Sequence, residues 1–351
     1  MQFFECTQCH QLVYFENSTC LNCGSALVYA PLSKQMVAVE PDGAGTWRVI
    51  DDHDRRFSFC QNSLQYQVCN WAVPIEDPNP YCRSCRLNEI IPDLSVAGNV
   101  QAWAKLEKAK RRLLHGLTSL GLAVRSREAD PENGLGFRFL ADDLEEKVMT
   151  GHDAGVITLN IAEARDSERE RRREQLSEPY RTLLGHFRHE IGHYYWNLLI
   201  LHGDRLEGFR KLFGDERRNY QKALKTHYAQ GPPANWQNHF ISAYSTMHPW
   251  EDWAESWAHY LHMRDTLETA AACGVTVHLP ETEPRSLKLS EEAWSFDRVK
   301  KDWLLLTHVL NNLNRGLGQP DSYPFVISPG AAEKLRFIHD VICENATATA
   351  A

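Results

Sequence analysis

Apolar positions along the chain change their spacing, and the change divides it into two kinds of structure. Up to about residue 60 they come in short runs: Leu12–Phe15, Leu27–Tyr29, Met36–Val39, Trp47–Ile50 and Phe57–Cys60. Runs this short, separated by breaks such as Pro41-Asp42-Gly43, predict strands. From about residue 98 the period becomes helical. Trp103, Leu106, Ala109, Leu113 and Leu117 fall on one face, which predicts a helix ending near Gly121. Two further strands are predicted at Phe137–Leu140 and Val156–Leu159. The mixed charges of 163–174 read as a solvated helical face. Helices are then predicted over 179–201, 204–213, 218–229, 249–264, 291–313 and 330–343, with a break at Gly231-Pro232-Pro233.

The pattern predicts an α+β protein, β-rich first and mainly helical after. Its expected parts are 1–30, a first cysteine module; 31–95, a second β-rich module; 96–345, a helical domain; and 346–351, a frayed tail. Hydrophobic residues at 43% and charged residues at 24% exclude wholesale disorder. No apolar run approaches the ~18 residues of a membrane-spanning helix. The start, MQFFECTQCH, has no basic or apolar signal region, so a cytoplasmic protein without membrane contact is expected. A net charge of −8 weighs against a general nucleic-acid binder, although the basic stretch Arg169-x-Arg171-Arg172-Arg173 points the other way.

Cysteine usage adds chemistry to the first part. Of ten cysteines, eight fall before residue 86. In a reducing compartment, paired CxxC units read as metal sites and not disulfides. Cys6-x2-Cys9 and Cys20-x2-Cys23 place four thiolates on two turns, the donor set of a closed tetrahedral zinc ribbon. About thirty residues cannot bury a self-sufficient core, so the metal must supply folding energy. Cys60-x8-Cys69 with Cys82-x2-Cys85 makes a second four-thiolate set of less regular spacing. The competing readings are a redox CxxC for the first set and a β-module with unpaired cysteines for the second.

The predicted helix at 179–201 contains His189-Glu190-Ile191-Gly192-His193. Histidines at i and i+4 share a helix face and can reach one zinc, while Glu190 stands off the metal and can serve a water as general base. A catalytic zinc needs a third protein ligand. Pro249-Trp250-Glu251-Asp252-Trp253-Ala254-Glu255 opens a later helix, with Glu251 and Glu255 one turn apart. One of the two carboxylates can bind the metal and the other can hold a ligating histidine. The competing reading makes Glu251, Asp252 and Glu255 a solvated acidic stripe. Trp250, Trp253 and Trp257 read as core. His186, His259 and His262 read as structural or exposed histidines.

HEIGH followed by EDWAE resembles the gluzincin metallopeptidases. More specifically, the chain is similar to bacterial zinc-binding metallopeptidases that carry an N-terminal zinc ribbon. The matching stretches are the paired cysteines, CNWAVP (69–74), YCRSCRLNEIIPDL (81–94), GVITLNIAEA (155–164), EPYRTLLGHFRHEIGHYYW (178–196), PWEDWAESWAHYLHM (249–263) and GQPDSYPFVISP (318–329). The resemblance implies a zincin-like metallopeptidase domain. It also implies that Glu251 is the third zinc ligand and Glu255 its supporting carboxylate.

The expected activity is zinc-dependent hydrolysis of a peptide or protein, with Glu190 as base. Three zinc ions per chain are expected, one at His189, His193 and Glu251 and two at the cysteine sets. Tyr244 is the first candidate for an oxyanion donor and His248 the second. The strand Val156–Leu159 is expected to be a sheet edge that aligns an extended substrate. The ribbons are expected to recruit a protein partner. Two other readings compete: a nucleic-acid-associated protein, for example a protease of DNA-bound proteins, and a non-catalytic zinc-ribbon adaptor.

Overall fold

The computed structural model describes residues 3–43, 45–142, 148–175, 181–278, 285–287 and 295–350. The chain forms two compact units. One comprises Gln2–His115 with Val124–Arg169, and the other Gly116–Ala123 with Glu170–Ala351. The first residues of the predicted helices 179–201 and 291–313 lie outside the described residues.

In the first unit, β1 (Phe4–Glu5) and β2 (Leu12–Val13) pair across the first CxxC turn. Next come β3 (Ala26–Ala30), β4 (Gln35–Pro41), β5 (Trp47–Val49), β6 (Asp52–Phe59) and, after the short helix α1 (Gln61–Tyr66), β7 (Ala72–Pro74). These five strands form an antiparallel sheet in chain order, so it runs through residue 30, where the pattern placed the first boundary. Alternate residues explain why. Val28 and Ala30 of β3 join Val37, Val39, Val49, Phe57 and Ala72 in one apolar cluster. Tyr29 points the opposite way, its ring 4.8 Å from Phe15 and 5.0 Å from Trp71.

The unit continues with β8 (Asn88–Ile90), α2 (Asn99–Ser119), β9 (Gly136–Leu140), β10 (Gly151–Asp153) and β11 (Val156–Asn160). Trp103, Leu106, Ala109 and Leu113 of α2 are all buried, as their spacing predicted. The second sheet has the order β10-β11-β9-β8. The expected edge role of Val156–Leu159 is therefore corrected. β11 is paired on both sides, parallel to β9 and antiparallel to β10, so its backbone has no free row to offer a substrate. The Gly151-His152-Asp153 strand that covers it carries no apolar signal, and the hairpin turns on Ala154 and Gly155, both at positive φ. α3 (Asp166–Gln175) carries exposed i,i+3 pairs such as Arg173–Glu170, the solvated face its charges predicted.

The second unit is helical: α4 (Leu183–Leu199), α5 (Leu206–Phe213), α6 (Tyr220–Gln230), α7 (Pro249–Ala272), α8 (Phe296–Gly316) and α9 (Pro329–Ala350), with a two-strand pair β12 (Thr276–Val277) and β13 (Arg285–Ser286). α7 is the centre, with α4, α5, α8 and α9 packed on it. A Cβ on Gly192 would stand 3.0 Å from the Ala254 backbone, so only glycine lets α4 and α7 approach this closely. Trp253 Nε1 donates to the Gly192 carbonyl at 2.8 Å across the same contact.

α7 outruns its predicted end at residue 264. Leu267 and Ala270 extend its buried face, and Asp265 is paired with Arg188 of α4. α9 likewise runs to Ala350, through the tail expected to fray. Alanine is the strongest helix former, which favours continuation. Among the described residues, no helix is long and apolar enough to cross a membrane.

Candidate metal centre

α4 starts at Thr182, whose side chain accepts from the Gly185 amide at 3.0 Å, and it carries both histidines of the motif. α7 starts at His248, with Pro249 in its first turn, and carries Glu251 and Glu255. The close α4–α7 contact brings the two sets together. His189 Nε2 lies 3.0 Å from one Glu251 oxygen, and His193 Nε2 lies 3.5 Å from the other. One donor atom from each of His189, His193 and Glu251 falls within 4.8 Å of the others. Glu255 Oε1 sits 2.8 Å from His189 Nδ1, on the far side of that ring.

This donor set calls for a cation. Glu251 is 2% exposed, and Glu255 lies one turn further along the same buried helix. If Nδ1 of His189 donates to Glu255, then Nε2 presents a lone pair to the Glu251 carboxylate. That arrangement is repulsive unless a positive charge lies between them. Protonation supplies it in one state: burial disfavours the imidazolium of His189, but hydrogen bonds to Glu251 and Glu255 outweigh burial and hold its pKa well above the usual value. A divalent metal supplies it in the other, and two imidazoles with one carboxylate are a catalytic zinc donor set. The Glu251 carboxyl is depressed for the complementary reason, the two histidines overcoming the cost of burial.

Glu190 is only 8% exposed, and no donor atom of the cluster belongs to it. Burial raises its pKa, with His189 and His193 pulling the other way. A carboxylate kept near the metal site, unligated and more basic than usual, suits proton transfer.

The cysteines gather as their spacing predicted. Cys6, Cys9, Cys20 and Cys23 form one cluster, and Cys60, Cys69, Cys82 and Cys85 form another. Sulfur separations of 3.8 Å (Cys6–Cys23), 3.6 Å (Cys9–Cys20) and 3.6 Å (Cys69–Cys82) are far beyond a disulfide. They match the ~3.8 Å edge of a tetrahedron with ~2.3 Å Zn–S bonds. The irregular x8 gap of the second set is filled by α1, which starts directly after Cys60 and ends on Gln67 at positive φ. Buried Arg111 donates to Val68 O at 2.6 Å. Its charge is opposed by burial but favoured by Cys69, Glu107, Cys85 and Cys82, so it offsets the negative charge of four thiolates.

A family profile described as "Putative zinc-binding metallo-peptidase" matches residues 99–341. The chain belongs to this family. A zinc-ribbon domain profile matches residues 3–96 of the chain. It is 44% identical over 347 residues to uncharacterized proteins of Mycobacterium bovis and of two strains of Mycobacterium tuberculosis, covering 99% of this chain and 96% of each relative. No solved structure matches it.

Around the candidate metal centre, the other candidates sort by their partners. The acidic-stripe reading falls, because Asp252 is 0% exposed and paired with Lys334 at 2.5 Å. Trp253 and Trp257 are core, while Trp250 lies against His193 with ring centroids 3.9 Å apart. Tyr244 is half-buried, its ring 6.1 Å from that of His189. His248 is excluded as an oxyanion donor. Its Nδ1 accepts from the Trp250 amide and its Nε2 donates to Arg218 O, so both nitrogens are spent on the start of α7. His259 bonds Tyr323 Oη at 2.8 Å, and burial lowers its pKa to about 4, leaving it neutral. His262 accepts from Arg188. Among the described residues, neither these two nor His186 joins a metal cluster.

Two site residues were missed by sequence reasoning. Ser242 Oγ donates to Glu255 Oε2 at 2.6 Å, and Tyr220 Oη donates to Glu251 Oε1 at 2.9 Å. They stand 13 and 31 residues from their partners, and no periodicity or motif links positions that far apart.

Proposed function

We propose that this metallopeptidase hydrolyses peptide bonds with one catalytic zinc at His189, His193 and Glu251, and that it carries two structural zinc ions at the cysteine clusters. The observation that carries the reading is the convergence of those three donors within 4.8 Å, beside an unligated, buried Glu190. Zinc held there supplies Lewis acidity to a water and to the scissile carbonyl. Glu190 does the proton work, taking a proton from the attacking water and delivering it to the amide nitrogen as the C–N bond breaks. Its raised pKa makes it a stronger base and so favours the first half of that transfer. Glu255, fixed by Ser242, holds His189 in the tautomer that turns Nε2 to the metal. Tyr244 is the proposed donor to the oxyanion.

The intact Glu190 favours an enzyme over a zinc-ribbon adaptor, which would need no base. The thiolate clusters suit the reducing cytoplasm, with the ribbons free to recruit a protein partner.

An unbiased peptide library incubated with the chain should show cleavage that 1,10-phenanthroline removes and added zinc restores. Cleavage that persists after the zinc at the histidine site is gone would refute the reading.

A further inference from the structure

We propose that Tyr220 is a positioning residue that fixes the Glu251 carboxylate for metal capture. The inference rests on the reading of His189, His193 and Glu251 as a metal site. Tyr220 occupies the first turn of α6, whose N-cap Asn219 accepts from the Lys222 amide at 2.8 Å. No residue of α6 is fully buried, so Tyr220 is not there to fill a core. Its ring instead lies 5.3 Å from His248 and 6.4 Å from Trp250, the two residues that open α7 immediately before Glu251.

From that place the hydroxyl donates to Glu251 Oε1 at 2.9 Å, while Oε2 lies 3.0 Å from His189 Nε2. A carboxylate accepts through both oxygens, and a glutamate side chain has three torsions to fix. With Oε1 tied to Tyr220, and 3.5 Å from His193 Nε2, the other oxygen is already turned toward His189 Nε2. The rotamer freedom of Glu251 is then lost on folding and not on metal binding. A phenol donor also draws charge from the carboxylate, which sets how much negative charge the ligand gives to the metal.

The test is zinc affinity, measured on the full chain by competition with a chromophoric chelator, for native protein, Tyr220→Phe and Tyr220→His. Loss of one such outer hydrogen bond should weaken zinc at this site by ~10- to 100-fold. The thiolate-bound zinc should be retained as a control on folding, and Tyr220→His, which restores a donor, should recover part of the loss. Cobalt substituted at the site should show shifted visible bands in Tyr220→Phe. Equal affinity and an equal cobalt spectrum would overturn the proposal. A fall in turnover at unchanged affinity would overturn it too, by assigning the hydroxyl to the substrate. Native protein with no zinc at this site would remove the metal-site reading and this proposal together. Native protein with zinc there, and an unchanged Tyr220→Phe, would remove the proposal alone.

Discussion

Glu190→Gln is expected to keep its metal and its fold while losing nearly all turnover. Glutamine matches glutamate in size and can still accept a hydrogen bond, but it cannot take a proton from water. Because no atom of Glu190 belongs to the donor cluster, zinc content should not change. Its burial raises the cost of the charged form, so the neutral amide should fold at least as well. A positioned general base is worth ~10²–10⁴ in rate, and that is the expected loss. His193→Ala should behave differently, losing the metal and the activity together. Comparison of the two by elemental analysis and turnover on one cleavable peptide separates proton transfer from ligation. Full activity in Glu190→Gln would exclude this hydrolytic mechanism.

Loss of one cysteine should be the largest effect on stability. A structural zinc contributes an apparent ~10–16 kcal/mol in small zinc modules, which matches or exceeds the ~5–15 kcal/mol that holds a whole domain. Cys20→Ser should therefore lose one zinc and open the segment around β1 and β2 to protease. That pair has only two residues per strand, too few to hold the cysteine turns by strand pairing. Cys82→Ser should spread further, because all four sulfurs of its cluster are buried and Arg111 would lose the charge that offsets its own burial. Neither change should strip zinc from the His189 site, which lies in the other compact unit. Limited proteolysis with zinc counting checks both variants. Retention of all zinc with native protease resistance would exclude metal as the source of folding energy here.

Much of this was legible in the sequence because it rests on local spacing. CxxC turns, the i,i+4 histidines and the i,i+4 glutamates are fixed by helix and turn geometry within a few residues, so their side chains could be grouped before any fold was known. The apolar faces of α2 and α7 were legible for the same reason. Three things were not. Strands without apolar alternation, such as Gly151–Asp153, carry no pattern, and that hid the strand covering β11. The length of α7 depends on partners from another helix, because Arg188 of α4 pairs with Asp265 and the buried face runs on through Leu267 and Ala270. Finally, Tyr220 and Ser242 act through single hydrogen bonds between distant segments, and a polar residue alone does not announce its partner.

Zinc per chain in native protein and in Glu251→Ala is the most direct test of the metal-centre assignment. Three zinc ions are expected in the native chain and two in the variant, the remaining pair held by Cys6, Cys9, Cys20, Cys23 and by Cys60, Cys69, Cys82, Cys85. Two in the native chain, or three retained after Glu251→Ala, would contradict the assignment.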